Sequence, residues 1–346
     1  MSWICSLPFN HIYTDPSGQY RLCCVSSPLS QNINTTPLAD YWNSEELNLL
    51  RHEFKTGNLD KVKTLCSKCI DQEKNNVESY RQLWSKEIDD LVDGDRHMTF
   101  KLSTFGNYCN LSCYMCFPVN SSRRETELKK IGWYENFWPE KAVKTDILEQ
   151  IKPFLPYTTA FSMMGGEPLL IQSHYDLLDL IIDEGHAEHI SLNYTSNLTL
   201  DTTKFESYID KFKYVQMNVS IDGIGKRNDY IRYGSDFDLI VKNMKKLKCD
   251  TNVYYTVSIL SVFDCNKAIE YFGEIKDFNI VDAPDFLSIR HLPNHIKVKV
   301  KAPDKVMSEL YKPRDEDQWQ RALQYIRDLD QHRGTTCAEV FPELWQ

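Results

Sequence analysis

Three cysteines stand in a C-x3-C-x2-C run, Cys109-Asn110-Leu111-Ser112-Cys113-Tyr114-Met115-Cys116. Thiolates are soft ligands, suited to iron–sulfur clusters, zinc or copper(I). A closed zinc site usually takes four ligands as two pairs. Cys109, Cys113 and Cys116 have no fourth cysteine nearby. They would therefore hold three irons of a 4Fe-4S cluster and leave the fourth iron open. The alternatives are a zinc knuckle completed by a distant His or Cys, and three unrelated buried thiols.

A second group lies upstream. Cys5, Cys23, Cys66 and Cys69 would make a complete four-thiolate site, two from a hairpin and two from a C-x2-C pair. Cys24 adjoins Cys23, and neighbours on a strand face opposite ways, so one of the two ligates and the other packs. From these residues alone, a structural zinc site and a cluster fit equally well. Downstream, Met164-Gly165-Gly166-Glu167-Pro168 follows a strand-like segment. Paired glycines let a backbone approach a ligand closely, where its N–H and C=O groups can hold an ammonium or carboxylate. An ordinary glycine turn would read the same way.

The positioning elements can be read from periodicity. His11-Ile12-Tyr13, a turn at Asp15-Pro16-Ser17-Gly18 and Gln19–Cys23 predict a hairpin. Leu38, Tyr41, Trp42, Leu47, Leu50 and Phe54 recur at helical spacing up to Gly57. A polar helix is expected from about Gln72 to Leu91, with a linker at Asp93-Gly94-Asp95. From Thr99 the pattern alternates strand and helix. The expected strands are Thr99–Phe105, Ala160–Met164, Ile190–Thr195, Tyr214–Ile221, Val253–Leu260 and Phe286–Ile289. The expected helices are Ala142–Phe154, Ser173–Glu184, Thr202–Phe212, Asp236–Lys248 and Asn266–Lys276. Such alternation implies a parallel sheet with crossover helices. The fold class is α/β: a partial (β/α)6 TIM-like barrel with a small N-terminal α+β cluster-binding domain. Residues 1–95 form the first domain, 96–300 the barrel and 301–346 a C-terminal helical extension. Ligands of such sheets sit beyond the carboxyl ends of the strands, where the motifs fall.

The bulk properties narrow the classes. The 346 residues are 42% hydrophobic and 26% charged, enough for a packed core. A net charge of −9 argues against nucleic acid and anionic membranes as partners. No run of 18 apolar residues and no basic leader occur, so a cytoplasmic location is expected. Eight of the eleven cysteines lie at or before Cys116. A secreted disulfide scaffold would spread them throughout; crowding favours metal ligation in a reducing compartment.

Together, the three-cysteine run and Gly165-Gly166-Glu167-Pro168, each after a strand and one βα unit apart, resemble the radical S-adenosylmethionine (SAM) superfamily over roughly residues 98–290. The resemblance implies that Cys109, Cys113 and Cys116 carry the cluster. It also implies that the Gly165-Gly166-Glu167 loop holds the methionine amino group. Asn197, in Tyr194-Thr195-Ser196-Asn197, matches a polar residue placed against the ribose. Ser220-Ile221-Asp222-Gly223 followed by Arg232 is similar to the pattern that binds the SAM carboxylate in the subfamily modifying peptides and sulfatases. Arginine suits a carboxylate through its bidentate fork. Read as residues only, Asn197 and Ser220 are equally helix caps, Asp222 a turn former, and Arg232 a surface ion pair.

The first domain resembles the SPASM and twitch modules, which bind auxiliary 4Fe-4S clusters. That implies Cys5, Cys23, Cys66 and Cys69 as ligands, with the glycine spacing favouring Cys23 over Cys24. The resemblance further implies reductive cleavage of SAM to a 5′-deoxyadenosyl radical and hydrogen abstraction from a substrate. The product would be an oxidised or crosslinked peptide or protein side chain. The alternatives are oxidation of a sugar or other small molecule, and a non-catalytic iron–sulfur electron carrier. An external electron donor such as flavodoxin or ferredoxin is the expected partner. No catalytic acid or base has a diagnostic spacing; Glu125, Glu127 and Asp236 are available. Ser121-Ser122-Arg123-Arg124 reads as an anion contact or a solvated helix start. Met163-Met164 reads as core, and His11, His291 and His295 as structural or surface residues.

Overall fold

The computed structural model describes residues 4–85, 97–103, 105–134, 145–275 and 278–345. The expected linker at 93–95, the end of the polar helix at 86–91, residue 104 of the first barrel strand, residues 142–144 and residue 276 lie outside the described residues. Among the described residues nine strands are present, mostly parallel: β1 His11–Thr14, β2 Gln19–Arg21, β3 Pro28–Asn32, β4 Met98–Leu102, β5 Thr158–Met163, β6 Ser191–Ser196, β7 Tyr214–Ile221, β8 Asp250–Val257 and β9 Phe278–Ile280. The chain divides into two compact units. One comprises residues 1–107, 138–194 and 208–215; the other comprises 108–137, 195–207 and 216–346.

In the first unit, β1 and β2 form the expected antiparallel hairpin, with Tyr13 opposite Arg21. Asp15 Oδ1 fixes its turn by accepting from Ser17 N at 3.0 Å and Gln19 N at 3.1 Å. β1 also pairs in parallel with β4, His11 opposite Thr99. The hairpin is thus continuous with the sheet that runs on through β4–β5 and β5–β6, both parallel. Each parallel step needs a crossover. Before β5 runs the short helix Ile147–Ile151, and between β5 and β6 runs Gln172–Asp183. The latter buries Leu177, Leu178 and Ile181, the stripe its period predicts. Phe100 stacks on Phe161 at 5.2 Å and meets Phe154 edge-on at 5.9 Å. The helix expected across Leu38–Phe54 is two, Leu38–Trp42 and Glu45–Thr56. The Ser44 side chain accepts from Leu47 N, and that cap starts a new helix inside one apolar stripe. The polar helix breaks likewise: Ser67–Lys74 ends before Asn76, whose φ is 56°, and Tyr80–Ser85 begins anew.

In the second unit, β7, β8 and β9 pair in parallel, with helices Lys226–Ile231, Phe237–Lys246 and Cys265–Phe272 between them. Strands β4 to β9 are the six of the expected strand–helix alternation, paired in parallel within each unit. One expected strand is corrected. Phe286–Ile289 is not extended but lies in the 3-10 turns Asp285–Leu287 and Ile289–His291, just after Pro284. Proline has no N–H for a ladder. The sixth strand is Phe278–Ile280, pairing Phe278 with Tyr255. Three residues are too few to show a period of two. The helix Glu316–Arg333 closes the chain's C-terminal part, capped by Asp315 and stopped by Gly334 in the left-handed region.

Candidate functional site

In the second unit, the loop Cys109–Cys116 runs beside residues 231–233. Ser112 N donates to Tyr233 O and Tyr114 N to Ile231 O, both at 2.9 Å. These two bonds bracket Cys113 and hold it inward, where it is buried; Cys109 and Cys116 are partly exposed. Burial pushes the Cys113 thiol up, against the pull of the Arg232 guanidinium. Cys116 is pushed up to about 12, by burial and then by its neighbours Cys113 and Cys109. The three thiols are thus close enough for Cys113 and Cys109 to oppose ionisation of Cys116.

Arg232 stands beside this set and is not a surface residue. Its Nη1 donates to Asp222 Oδ2 at 2.6 Å; Asp222 is fully buried and the arginine side chain is 12% exposed. The Asp222 Oδ1 atom accepts from Thr256 N at 2.9 Å. Asp222 thus anchors the arginine to β8 rather than only shaping a turn. Burial works to lower Arg232, but the facing Cys113 and Asp222 charges outweigh it and raise the guanidinium above its ordinary range. Its Nε is buried with no partner among the described residues. A buried donor left unspent costs about 1–3 kcal/mol, so this edge of Arg232 suits an anion. Ser220 lies inside β7 and Asn197 ends no helix. Asn197 Oδ1 accepts from Thr199 N at 3.0 Å, an Asx turn, while its Nδ2 donates to Asn110 Oδ1 at 2.9 Å. It therefore fixes the loop at Asn110, next to Cys109. Gly234 (φ +98°) allows the chain to pass Arg123; a Cβ there would lie 3.1 Å from Arg123 Nη1.

Behind the same loop is a network that sequence reasoning missed. Arg124 is fully buried and pairs with Glu127, three residues on along one helix. Arg333, at the end of Glu316–Arg333, donates to Glu127 through Nε at 2.7 Å and Nη2 at 2.8 Å. Both arginines also hold the thiol loop. Arg333 Nη2 donates to Ser112 O at 2.6 Å and Arg124 Nη2 to Tyr114 O at 3.1 Å. Tyr325 OH donates to Tyr114 O at 2.9 Å. Glu127 is held well down, at about 2. Burial would raise it, but the hydrogen bond and charge of Arg333, with Ser112 and Arg124, prevail. Ser121 is the cap of the helix Ser122–Lys130, so the helix-start reading of Ser121–Arg124 holds, while Arg124 is buried rather than solvated. The i,i+3 spacing of Arg124 and Glu127 was the available signal; Arg333, 206 residues from Glu127, left none.

The glycine loop belongs to the first unit. Gly165 has φ +93°, and a Cβ there would lie 3.3 Å from the Ser103 backbone. Only glycine fits this close approach to the residue after β4. Gly166 is also left-handed, at 57°. Glu167 is buried, and its carboxylate accepts from Leu169 N at 3.1 Å, closing the turn.

The upstream thiols also lie in the first unit. Cys5, Cys23, Cys66 and Cys69 line one cavity with Leu7, Leu22, Phe54, Tyr80 and Arg81. Cys24 is outside it and exposed. Burial pushes Cys5 up to about 12 and Cys23 up to about 11, and each is raised further by a facing thiol of the group. Burial likewise raises Cys66 and Cys69. Arg81 is fixed in the wall by Glu73, Nε and Nη2 each donating at 2.8 Å, and by donation to Ile4 O at 2.8 Å. Among the described residues, no three His, Cys, Asp or Glu side chains close to the spacing of a single metal ion. The thiols of a tetrahedral zinc site are about 3.8 Å apart, from a Zn–S bond of about 2.3 Å. Four thiols lining one cavity are a complete ligand set for either a tetrahedral zinc or a 4Fe-4S core. His291 is a buried and His11 a half-buried structural residue. The His11 Nδ1 atom lies 2.7 Å from Thr99 Oγ1, and His291 Nδ1 accepts from Asp315 N at 3.1 Å.

A model of the radical SAM superfamily matches residues 103–263, and a model of the SPASM iron–sulfur cluster-binding domain matches residues 5–70. No curated protein sequence matches the chain. Among solved structures, native anSMEcpe with bound AdoMet is 20% identical, with a TM-score of 0.39, over 52% of this chain and 50% of that one. Streptococcus suis SuiB bound to S-adenosylmethionine is 16% identical, with a TM-score of 0.37, over 89% and 65%. SuiB bound to the precursor peptide SuiA is 17% identical, with a TM-score of 0.35, over 86% and 64%. The chain thus spans half to about two thirds of the length of these proteins. No helix among the described residues is long and apolar enough to cross a membrane.

Proposed function

The chain carries a radical SAM domain joined to an N-terminal SPASM-type iron–sulfur domain, and from that premise we propose that it oxidises or crosslinks a peptide or protein side chain by hydrogen-atom abstraction. Its cofactors are S-adenosylmethionine and 4Fe-4S clusters, and as a radical SAM enzyme it requires a reductant. When bound, the cofactors supply a 5′-deoxyadenosyl radical able to attack an unactivated C–H bond. In this reading Cys109, Cys113 and Cys116 hold three irons. Arg232, kept charged and oriented by Asp222, takes the SAM carboxylate through its free edge. The Gly165-Gly166-Glu167 backbone takes the amino group, and Asn197 and Ser220 provide polar contacts beside the nucleoside. Residues 1–95, 96–300 and 301–346 then serve as the auxiliary-cluster domain, the barrel and a C-terminal brace.

The observation that supports oxidation over mere radical generation is the four-thiol cavity. Cys5, Cys23, Cys66 and Cys69 share it while Cys24 is turned out. Four thiolates leave no iron open for substrate, so this group is suited to removing an electron from a substrate radical rather than to binding the substrate. A soluble flavodoxin or ferredoxin is the proposed electron donor.

The test is anaerobic reconstitution followed by dithionite and SAM, with 5′-deoxyadenosine as the readout. About eight irons per chain are expected from two 4Fe-4S clusters. Cys113→Ala abolishes cleavage of SAM; Cys69→Ala keeps uncoupled cleavage and loses product. Intact clusters without 5′-deoxyadenosine would refute the enzyme reading, and zinc at Cys66 and Cys69 the electron-acceptor role.

A further inference from the structure

We infer that Arg333, with Arg124 and Glu127, is a positioning element that sets the reduction potential at the Cys109–Cys113–Cys116 loop. The inference rests on the reading that this loop holds a 4Fe-4S cluster. Arg333 lies 70 residues beyond the end of the matched radical SAM domain, at the end of a helix with no cysteine of its own.

The geometry is that of a buried charge cluster fastened to the loop's own backbone. Two guanidiniums flank one carboxylate; Arg124 is 0% and the Arg333 side chain 1% exposed. Each arginine donates to a carbonyl adjoining Cys113, Arg333 to Ser112 O and Arg124 to Tyr114 O. The Arg333 guanidinium also stacks between two rings, 4.6 Å from Tyr114 and 4.3 Å from Tyr233. Tyr114 N and Ser112 N are committed to residues 231 and 233. Ser112 and Tyr114, the two residues flanking Cys113, are therefore each held through both N–H and C=O.

Two cations and one anion leave a net positive charge. Water cannot screen it here, because no member of the group reaches solvent appreciably. Arg124 Nε and Arg333 Nη1 are buried donors with no acceptor among the described residues, so the charge is not fully spent on protein partners. Adding an electron to a cluster whose thiolates already give it negative charge is opposed by charge accumulation. A fixed positive field next to Cys113 favours the reduced form. Glu127 moderates that field and orients both guanidiniums. A purely structural clamp would predict that any change in the group loosens the loop. A field predicts opposite signs for removing a cation and removing the anion.

The experiment is an EPR-monitored redox titration of the reconstituted full-length protein, following the signal that changes on adding SAM. At a fixed potential, Arg333→Gln lowers the reduced-to-oxidised ratio about tenfold, which is 59 mV for one electron. Glu127→Gln raises the ratio, and Arg333→Lys stays within about twofold of wild type because the charge is kept. Shifts of the same sign for R333Q and E127Q, or none beyond twofold, would overturn the inference. Should R333Q fail to assemble a cluster, E127Q and R333K still decide, since a structural role predicts no rise in E127Q. A wild-type protein with no SAM-responsive signal would overturn the reading of the loop itself, and the inference with it. A normal wild-type signal with unshifted variants would overturn the inference alone.

Discussion

Asp222→Asn separates the charge of the buried ion pair from its shape. Asp222 is fully buried, accepts from Arg232 Nη1 at 2.6 Å through Oδ2 and from Thr256 N at 2.9 Å through Oδ1. Asparagine keeps an oxygen for Thr256 N but faces Arg232 with a neutral group. A hydrogen bond to a charged partner contributes about 1.5–3 kcal/mol. Removing one member of a buried pair outright costs about 3–5 kcal/mol. D222N retains half the contacts, so the apoprotein should lose about 2–3 kcal/mol, read from its urea midpoint at unchanged slope. A double-mutant cycle with Arg232→Gln isolates the pair, and the double variant should recover at least about 1 kcal/mol of the summed losses. The same substitution releases the arginine that faces Cys113, so SAM affinity should fall about tenfold in equilibrium dialysis, or about 1.4 kcal/mol. If D222N unfolds within 0.5 kcal/mol (about the additivity error) of wild type and the cycle shows no coupling, Asp222 does not anchor Arg232. If stability falls but SAM affinity does not, Arg232 is a structural ion pair only.

Three further outcomes are expected. Glu127 is held at about 2 by Arg333 after burial is overcome, so its contribution is present above the unfolded value near 4.5 and is lost as pH falls toward 2. The stability difference between wild type and Glu127→Gln, about 3 kcal/mol at neutral pH, should shrink across that window in acid denaturation; a constant difference would contradict it. Gly165→Ala forces a side chain onto a +93° backbone 3.3 Å from Ser103, so it should cost about 1–3 kcal/mol and abolish SAM binding; an undisturbed melting curve would argue against the close approach. Cys23→Ser should remove about four irons per chain and Cys24→Ser none, as judged by iron analysis of the full chain.

Much of the chemistry could be read locally. The three-cysteine run, the paired glycines and the C-x2-C pair are short spacings between residues whose chemistry does not depend on the fold. The barrel strands were legible where an apolar run lasted five or more residues, as in β7. β9 was missed because three residues show no period, and Pro284 before Phe286-Leu287-Ser288-Ile289 mimicked a strand edge. The apolar stripe from Leu38 to Phe54 concealed a cap at Ser44, because packing and local hydrogen bonding follow different periods.

What the sequence by itself determined, then, was an inventory of candidate ligands: seven cysteines in two groups and a glycine loop fit for a close backbone approach. Only the tertiary structure decided their surroundings. It placed Cys23 in a cavity and Cys24 outside, because a thiol's direction depends on how the hairpin packs. It changed Arg232 from a possible surface residue to one locked on a buried aspartate. It brought Arg333 onto Glu127, 206 residues away along the chain. Charges gain strength when buried together, and burial is a property of the packed chain that no spacing in the sequence encodes.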